Sequence, residues 1–439
     1  MTEQERAASL PELLRFFAPL AVTWMLMMFT HTIISAGLAR TSNPTIATAA
    51  YAIALSFGDI FEAPLVMIRQ TGIAFITGRE SFQTVRQVTL VTIAVFMVIV
   101  SAIAYIPPLT RFTFQNILGV TDDLYTAAVL GFRVTMFFPL VSGLRSLYQS
   151  VILVNRRTIY ISLGVIVRVI FVALVVYGLV RTGLVPGVLV GAIAIVGAVL
   201  AEAIPAYHFG SRLLQPDTGT PIAKQTVWRF YLPLIASSLF VTMGKPFINA
   251  GLTRMPQATV SLAAFSVASS LAGILISPSH NIHQLTMVFG RSRQNLPLVR
   301  KFAISFSLLT TGLLLLVSFS PLGTWILTGL INIPQEMLAP TQLALSVLTC
   351  FPLLIGWLEY NTGILLLNQA TGIISLGKTL NLLGTIAFVL LLASRLPGPI
   401  AAPLAQVVGL GCEGLVLQVG MRYLGTGKSR SRPARQLGA

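Results

Sequence analysis

Charge is what this chain of 439 residues lacks most, with only 10% of its residues Asp, Glu, Lys or Arg, against roughly 25% in a soluble protein. So little polar surface cannot face water on all sides. Cysteine is nearly absent: the two in the chain, Cys350 and Cys412, both sit in apolar segments, so no disulfide framework is implied. Histidine and acidic residues are few and dispersed. No nucleotide loop, metal cluster or nucleophile triad appears, which leaves enzyme chemistry without support, and neither a cofactor nor a metal is expected. The alternating segments of about ten residues that build a membrane barrel are missing too.

What is present is apolar. Hydrophobic residues make up 55% of the chain and recur in runs of about twenty or more, the length that crosses a hydrocarbon core of ~30 Å. The sequence predicts an all-α polytopic membrane protein. Its formal net charge of +16 does not gather on one domain or interleave with aromatics, so no nucleic acid partner is expected. The basic residues punctuate the gaps between apolar runs instead.

Breaks at charged residues, Gly and Pro give twelve candidate spans: 12–39, 46–77, 85–106, 124–155, 158–180, 186–211, 227–253, 259–290, 299–325, 340–368, 372–394 and 398–423. Arg79, Arg86, Arg156, Arg157, Arg212, Lys224, Arg291, Arg293, Arg300, Lys301 and the tail bases fall on one side. Arg40, Arg111, Arg181, Arg254 and Arg395 fall on the other, mostly one per loop. Positive loops stay inside, so both termini are expected in the cytoplasm of a multi-pass plasma (inner) membrane protein. The start, MTEQERAASLPELLRFF, is acidic and lacks a signal peptide's basic start and cleavage site, so it is expected to be retained. Ser9 and Glu12 fit a capping box, with Pro11 in the first turn. The tail GTGKSRSRPARQLGA contains GKS, but Arg422 stands where a phosphate loop needs its first glycine.

A shift of 214 positions aligns the first two spans with the seventh and eighth: RFFAPL (15–20) meets RFYLPL (229–234), Pro64 meets Pro278, Gln70 meets Gln284 and Phe75 meets Phe289. HTIISAGLAR (31–40) meets KPFINAGLTR (245–254). With small changes of shift, FPLVSG (138–143) meets FPLLIG (351–356), ISLG (161–164) meets ISLG (374–377), and Glu202 meets Glu413. Rare residues in register point to duplication. Two halves of six spans enter the membrane from the same side, giving parallel repeats. The expected organisation is a six-helix bundle over 1–211, a cytoplasmic linker over 212–226, a second bundle over 227–424 and a basic disordered tail over 425–439.

Twelve spans in two parallel halves resemble the MOP superfamily, which holds the MATE multidrug exporters, lipid-linked oligosaccharide flippases and the progressive ankylosis (ANKH) family. KPFINAGLTR resembles that last family's basic-Pro-φ-φ-Asn segment, and FPLLIG and Glu413 also resemble its segments. The resemblance implies a transporter that exports small anions such as pyrophosphate, citrate or nucleotide polyphosphates. The MATE exporters typically place an acid in the first helix, and here that span has none in its apolar run.

Polar residues inside a bilayer are expensive and face a cavity or a partner. Lys245 would attract an anion beside the Pro246 irregularity, with Asn249 one turn on and His31 as its counterpart; or Lys245 only neutralises Asp59 or Glu359. Asp59 and Glu62 share a face next to the Pro64 kink. With Glu359 they are candidates for proton or sodium coupling, the alternative being a static pair with Arg69. Arg145 and Gln149 lie one turn apart and face a cavity, unless Arg145 pairs with Glu359 or another acid. His280, His283 and Gln284, beside the Pro278 kink, would line the cavity; a metal between two histidines without a nearby carboxylate or Cys has little support. Arg168 with Glu202 and Lys378 with Glu413 read as structural pairs within each half.

The expected function is secondary active export of a small organic or phosphate-containing anion by alternating access, by a monomer in the lipid bilayer. Alternatives are proton- or sodium-coupled MATE-type multidrug efflux and a flippase for a lipid-linked saccharide. An uncoupled channel would more naturally use a ring of subunits.

Overall fold

The computed structural model describes residues 8–118, 120, 122–215, 221–252, 258–330, 335–392 and 398–427, and among them every regular element is helical. From the N-terminus run α1 (Leu10–Leu38), α2 (Pro44–Val66), α3 (Ile68–Phe75), α4 (Arg79–Tyr105), the short α5 (Pro107–Arg111), α6 (Asp122–Thr135), α7 (Phe138–Val154), α8 (Ile159–Thr182) and α9 (Gly187–Arg212). Then follow α10 (Lys224–Leu252), α11 (Ala258–Ile276), α12 (Ile282–Phe289), α13 (Leu296–Phe319), the short α14 (Pro321–Trp325), α15 (Gln335–Leu348), α16 (Phe351–Leu367), α17 (Thr371–Leu392) and α18 (Gly398–Gly427). Among the described residues, ten helical stretches of 19 to 33 residues are long and apolar enough to cross a membrane. The seventh and eighth expected spans fall on α10 and on α11 with α12, which run into or beside residues outside the described set.

The exposed faces of these helices are largely apolar, and buried charges sit among a hydrophobic interior. On α8, Leu163, Ile166, Ile170, Leu174 and Tyr177 form an exposed stripe at helical spacing, while Val165, Arg168, Val172 and Val176 on the opposite face are buried. In a spanning helix the exposed stripe meets lipid, which offers the guanidinium no partner. The charge therefore turns inward.

Sequence punctuation sets the helix ends. The Ser9 backbone N–H donates to Glu12 Oε2 at 3.2 Å, capping α1. α7 and α16 both begin with a Phe-Pro pair and both stop at an Asn, Asn155 and Asn368. The next residue is left-handed in each case, Arg156 at φ 58° and Gln369 at φ 57°. Each stop closes with the same two bonds: Arg157 N–H to the Ile152 carbonyl (3.1 Å) and Arg156 N–H to Leu153 (3.0 Å), and Ala370 N–H to Leu365 (2.9 Å) and Gln369 N–H to Leu366 (3.0 Å). That is the Schellman pattern, which satisfies carbonyls that a helix end leaves open. α2 breaks at Met67, and α11 breaks through a 3-10 turn at Ser277–Asn281. The eight-residue α3 and α12 follow these breaks at corresponding positions. After α5 and after α14 the chain winds as a π-helix, over Phe112–Ile117 and Ile326–Leu330.

The chain divides into two compact units. One holds α1 up to Phe17 together with the chain from Ala236 onward; the other runs from Ala18 to Ile235. The division falls inside α1 and α10, and ring contacts explain why. Phe16 packs edge-on to Phe289 of α12 (5.4 Å, 89°) in the first unit, and Phe230 of α10 packs edge-on to Phe75 of α3 (5.0 Å, 80°) in the second. Tyr231 also donates its hydroxyl to the Pro64 carbonyl at 2.9 Å, beside the α2 break.

Candidate functional site

In the unit from Ala18 to Ile235, five ionised side chains join through Gln149. α9 supplies Glu202, which is buried. Arg145 Nη1 of α7 and Arg168 Nη1 of α8 both meet Glu202 Oε2, at 2.9 and 3.0 Å, while Gln149 Nε2 donates to Glu202 Oε1 at 2.8 Å. Arg145 Nη2 reaches Glu62 Oε1 of α2 at 3.3 Å, and Ser142 donates its hydroxyl to the same oxygen. Arg69 Nη1 donates to Gln149 Oε1 at 3.4 Å. Small residues let these helices approach: an added Cβ on Gly164 of α8 would meet the Glu202 side chain and backbone at 3.4 Å.

Three guanidiniums face two carboxylates in this set. Arginine stays protonated in proteins, so these five side chains, counted without Asp59, carry one positive charge more than negative. The Nε atoms of Arg145 and Arg168 are buried and find no acceptor among the described residues. Asp59 is exposed on α2, and Asp59 and Arg168 both act electrostatically on the buried Tyr51. His31 is exposed on α1, within electrostatic reach of Arg168 and Glu62.

The other unit repeats the plan with different charges. Glu359 of α16 lies between two histidines: His280 Nδ1 is 3.2 Å from Oε1 and His283 Nδ1 is 2.7 Å from Oε2. His280 is 46% exposed by its side chain and Glu359 13%. Glu413 of α18 is fully buried, with Lys378 Nζ of α17 2.6 Å from its Oε1 and Asn381 Nδ2 donating to its Oε2 at 2.7 Å. Gly377 packs on Glu413 as Gly164 packs on Glu202, with an added Cβ 3.4 Å from the glutamate Cγ in both places. Gln284 is buried beside His283 on α12. Among the described residues no group of three or more His, Cys, Asp or Glu is arranged to hold a metal ion.

The structure thus brings together Arg145, Gln149, Arg168, Glu202, Glu62 and Arg69 in one unit, and His280, His283 and Glu359 in the other. Two expectations are corrected: Glu62 pairs with Arg145 rather than Arg69, because Arg69 lies beyond the α2 break and turns to Gln149, and His280 and His283 do have a carboxylate beside them, that of Glu359. Arg145 pairs with other acids than Glu359, namely Glu202 and Glu62. Lys245, Pro246 and Asn249 lie on α10, with side chains outside the described residues. Two partners were missed, Ser142 and Asn381. Asn381 was legible, since the ISLG alignment that equates Gly164 with Gly377 places Asn381 where Arg168 stands.

The fold is shared with solved transporters. The chain is similar to a MATE transporter from Vibrio cholerae, VcmN, with 16% identity over 96% of this chain and 97% of that one, at a TM-score of 0.73. It is also similar to a MOP superfamily transporter from Pyrococcus furiosus (12% identity, 96% of each chain, TM-score 0.71), described as having a binding pocket of reversed polarity that suggests a different function. A multidrug resistance MATE family transporter in an outward-facing conformation matches with 12% identity over 95% of this chain and 96% of that one, at a TM-score of 0.71. A multi-pass membrane protein with the MOP transporter fold is the class that these likenesses and the inward-turned charges define. The family profile described as Progressive ankylosis protein (ANKH) matches residues 1–203 and 220–423, and the chain belongs to that family of transporters.

Proposed function

We propose that this protein is a secondary active transporter that exports a small organic or phosphate-containing anion, of the citrate, pyrophosphate or nucleotide class, by alternating access. The observation that carries the reading is the charge left over in the Arg69, Arg145, Arg168, Glu62 and Glu202 network. Two buried Nε donors without a protein acceptor among the described residues add to it. A buried excess of guanidinium draws an anion and opposes a cation, and bidentate geometry suits carboxylate and phosphate oxygens. The Pyrococcus furiosus relative, described with reversed pocket polarity, supports the idea that this fold carries pockets of either sign. On this reading the twelve spans form two parallel six-helix repeats, and both termini lie in the cytoplasm of the inner membrane. Lys245 is the further base this reading calls on, and no step is assigned to Asp59.

Uptake of labelled citrate, pyrophosphate and ATP into sealed inside-out vesicles, beside a cationic dye, tests the reading. Saturable anion uptake is expected, reduced severalfold by Arg69→Gln and by Lys245→Ala and little changed by Asp59→Asn. Dye uptake abolished by Asp59→Asn and indifferent to Lys245 and Arg69, with no anion uptake, would return the protein to multidrug efflux.

A further inference from the structure

The two units hold their aligned glutamates, Glu202 and Glu413, in the same way against a glycine but differ in what surrounds them. Glu202 is met by guanidiniums, which do not titrate near neutral pH. In the other unit Asn381 replaces Arg168, and a second acid, Glu359, is held by histidine, whose charge does change in that range. A carboxylate accepts hydrogen bonds, so both Nδ1 atoms facing Glu359 carry hydrogen. Nε2 is then the nitrogen where each ring takes up a further proton.

Counted with neutral imidazoles, the His280, Glu359 and His283 set carries one negative charge. One proton makes it neutral and a second makes it positive. The charges packed around it do not change that balance. On α17, Lys378 acts on Glu359 but is itself paired with Glu413 of α18. α16 adds Tyr360, on which Arg300 of α13 acts, and α13 also carries Lys301. The start of α1, packed on α12 through Phe16 and Phe289, brings Glu12 and Arg15. α11 contributes no ionisable residue.

We infer that the His280–Glu359–His283 triad is a proton-loading site whose protonation admits the anion, so that anion and proton move in the same direction through this unit. The inference rests on the anion reading above. Its sign follows from electrostatics: a bound proton adds positive charge, which favours an anion bound nearby and disfavours a cation, so exchange of an anion against a proton at this triad is opposed. His280, the more exposed ring, is the point where the proton enters, and His283 is the buried holder.

The test uses the full-length protein in liposomes that contain a pH-sensitive dye, with imposed gradients of citrate, pyrophosphate or ATP. Wild type is expected to move protons together with the anion, and its apparent anion affinity is expected to rise as pH falls, by up to about tenfold per pH unit for each linked proton. Glu359→Gln is expected to retain its melting temperature within a few degrees, because one amide oxygen still accepts, but to lose the pH dependence and the proton signal. His283→Gln is expected to do the same, so misfolding of one variant does not decide the matter. Anion movement at constant internal pH, insensitive to external pH, overturns the inference and leaves the anion reading standing. Failure of all three anions to move, or proton movement opposite to a cationic dye, overturns both. Transport that is lost on chelation and restored by zinc makes the triad a metal seat and overturns the proton role.

Discussion

At the scale of single residues, the two glutamates carry the sharpest contrast. Both accept from a neutral amide, but Glu202 compensates two buried guanidiniums, whereas Glu413 compensates one ammonium that is 22% exposed by its side chain. Removing one partner of a buried ion pair leaves an uncompensated charge and costs roughly 3–5 kcal/mol. Glu202→Gln is therefore expected to lower the unfolding temperature of the detergent-purified protein markedly, and Glu413→Gln to lower it less. Equal effects, measured by a thiol-reactive or intrinsic fluorescence melt, would contradict the account. The sequence reads Arg168–Glu202 and Lys378–Glu413 as structural pairs within each half, on glutamates that align with each other. Their difference in strength was not legible, because it depends on how far each cation sits from solvent.

At the scale of helices, packing preserves a contact while exchanging which side is small. Where α3 meets α7, Gly72 faces Ser150; where α12 meets α16, Thr286 faces Gly363, and in each case a Cβ added to the glycine would strike the facing side chain. One member of each pair must lack a side chain for the helices to approach. Gly72→Ser alone overpacks this contact, at a cost of about 1–3 kcal/mol, and Gly72→Ser with Ser150→Gly is expected to recover most of it. A double-mutant cycle on melting in detergent measures the coupling. Additive effects would show that the two positions do not share the contact. The alignment, at a shift of 214 for α3 and α12 and 213 for α7 and α16, pairs these helices, but it treats Gly against Thr and Ser against Gly as two mismatches. Only the facing partner turns them into one exchange.

For the whole molecule, the division inside α1 and α10 means that each half of the sequence lacks first turns supplied by the other. Residues 1–215 and 216–439, expressed apart, are each expected to aggregate or melt without cooperativity, because Phe230 and Tyr231 are missing from one and Phe16 from the other. Co-expressed, the two pieces are expected to co-purify and regain transport. A fragment that folds alone and melts cooperatively would show that these exchanged turns are dispensable. The sequence expectation of two bundles separated by a linker over 212–226 rests on chain continuity. Contacts between elements remote in sequence assign α1 up to Phe17 and α10 up to Ile235 across that linker.

The sequence by itself determined that this chain lives in a membrane, that its spans are helices and that rare residues recur along it in register. Those properties follow from local composition and register: an apolar run of sufficient length satisfies its backbone only as a helix, and rare residues at a constant spacing need no third dimension to be seen. The tertiary structure decided which charges meet. Arg145, Arg168 and Gln149 converge on Glu202, and two histidines bracket Glu359, because lipid offers a charge no partner and leaves close helix packing to choose one.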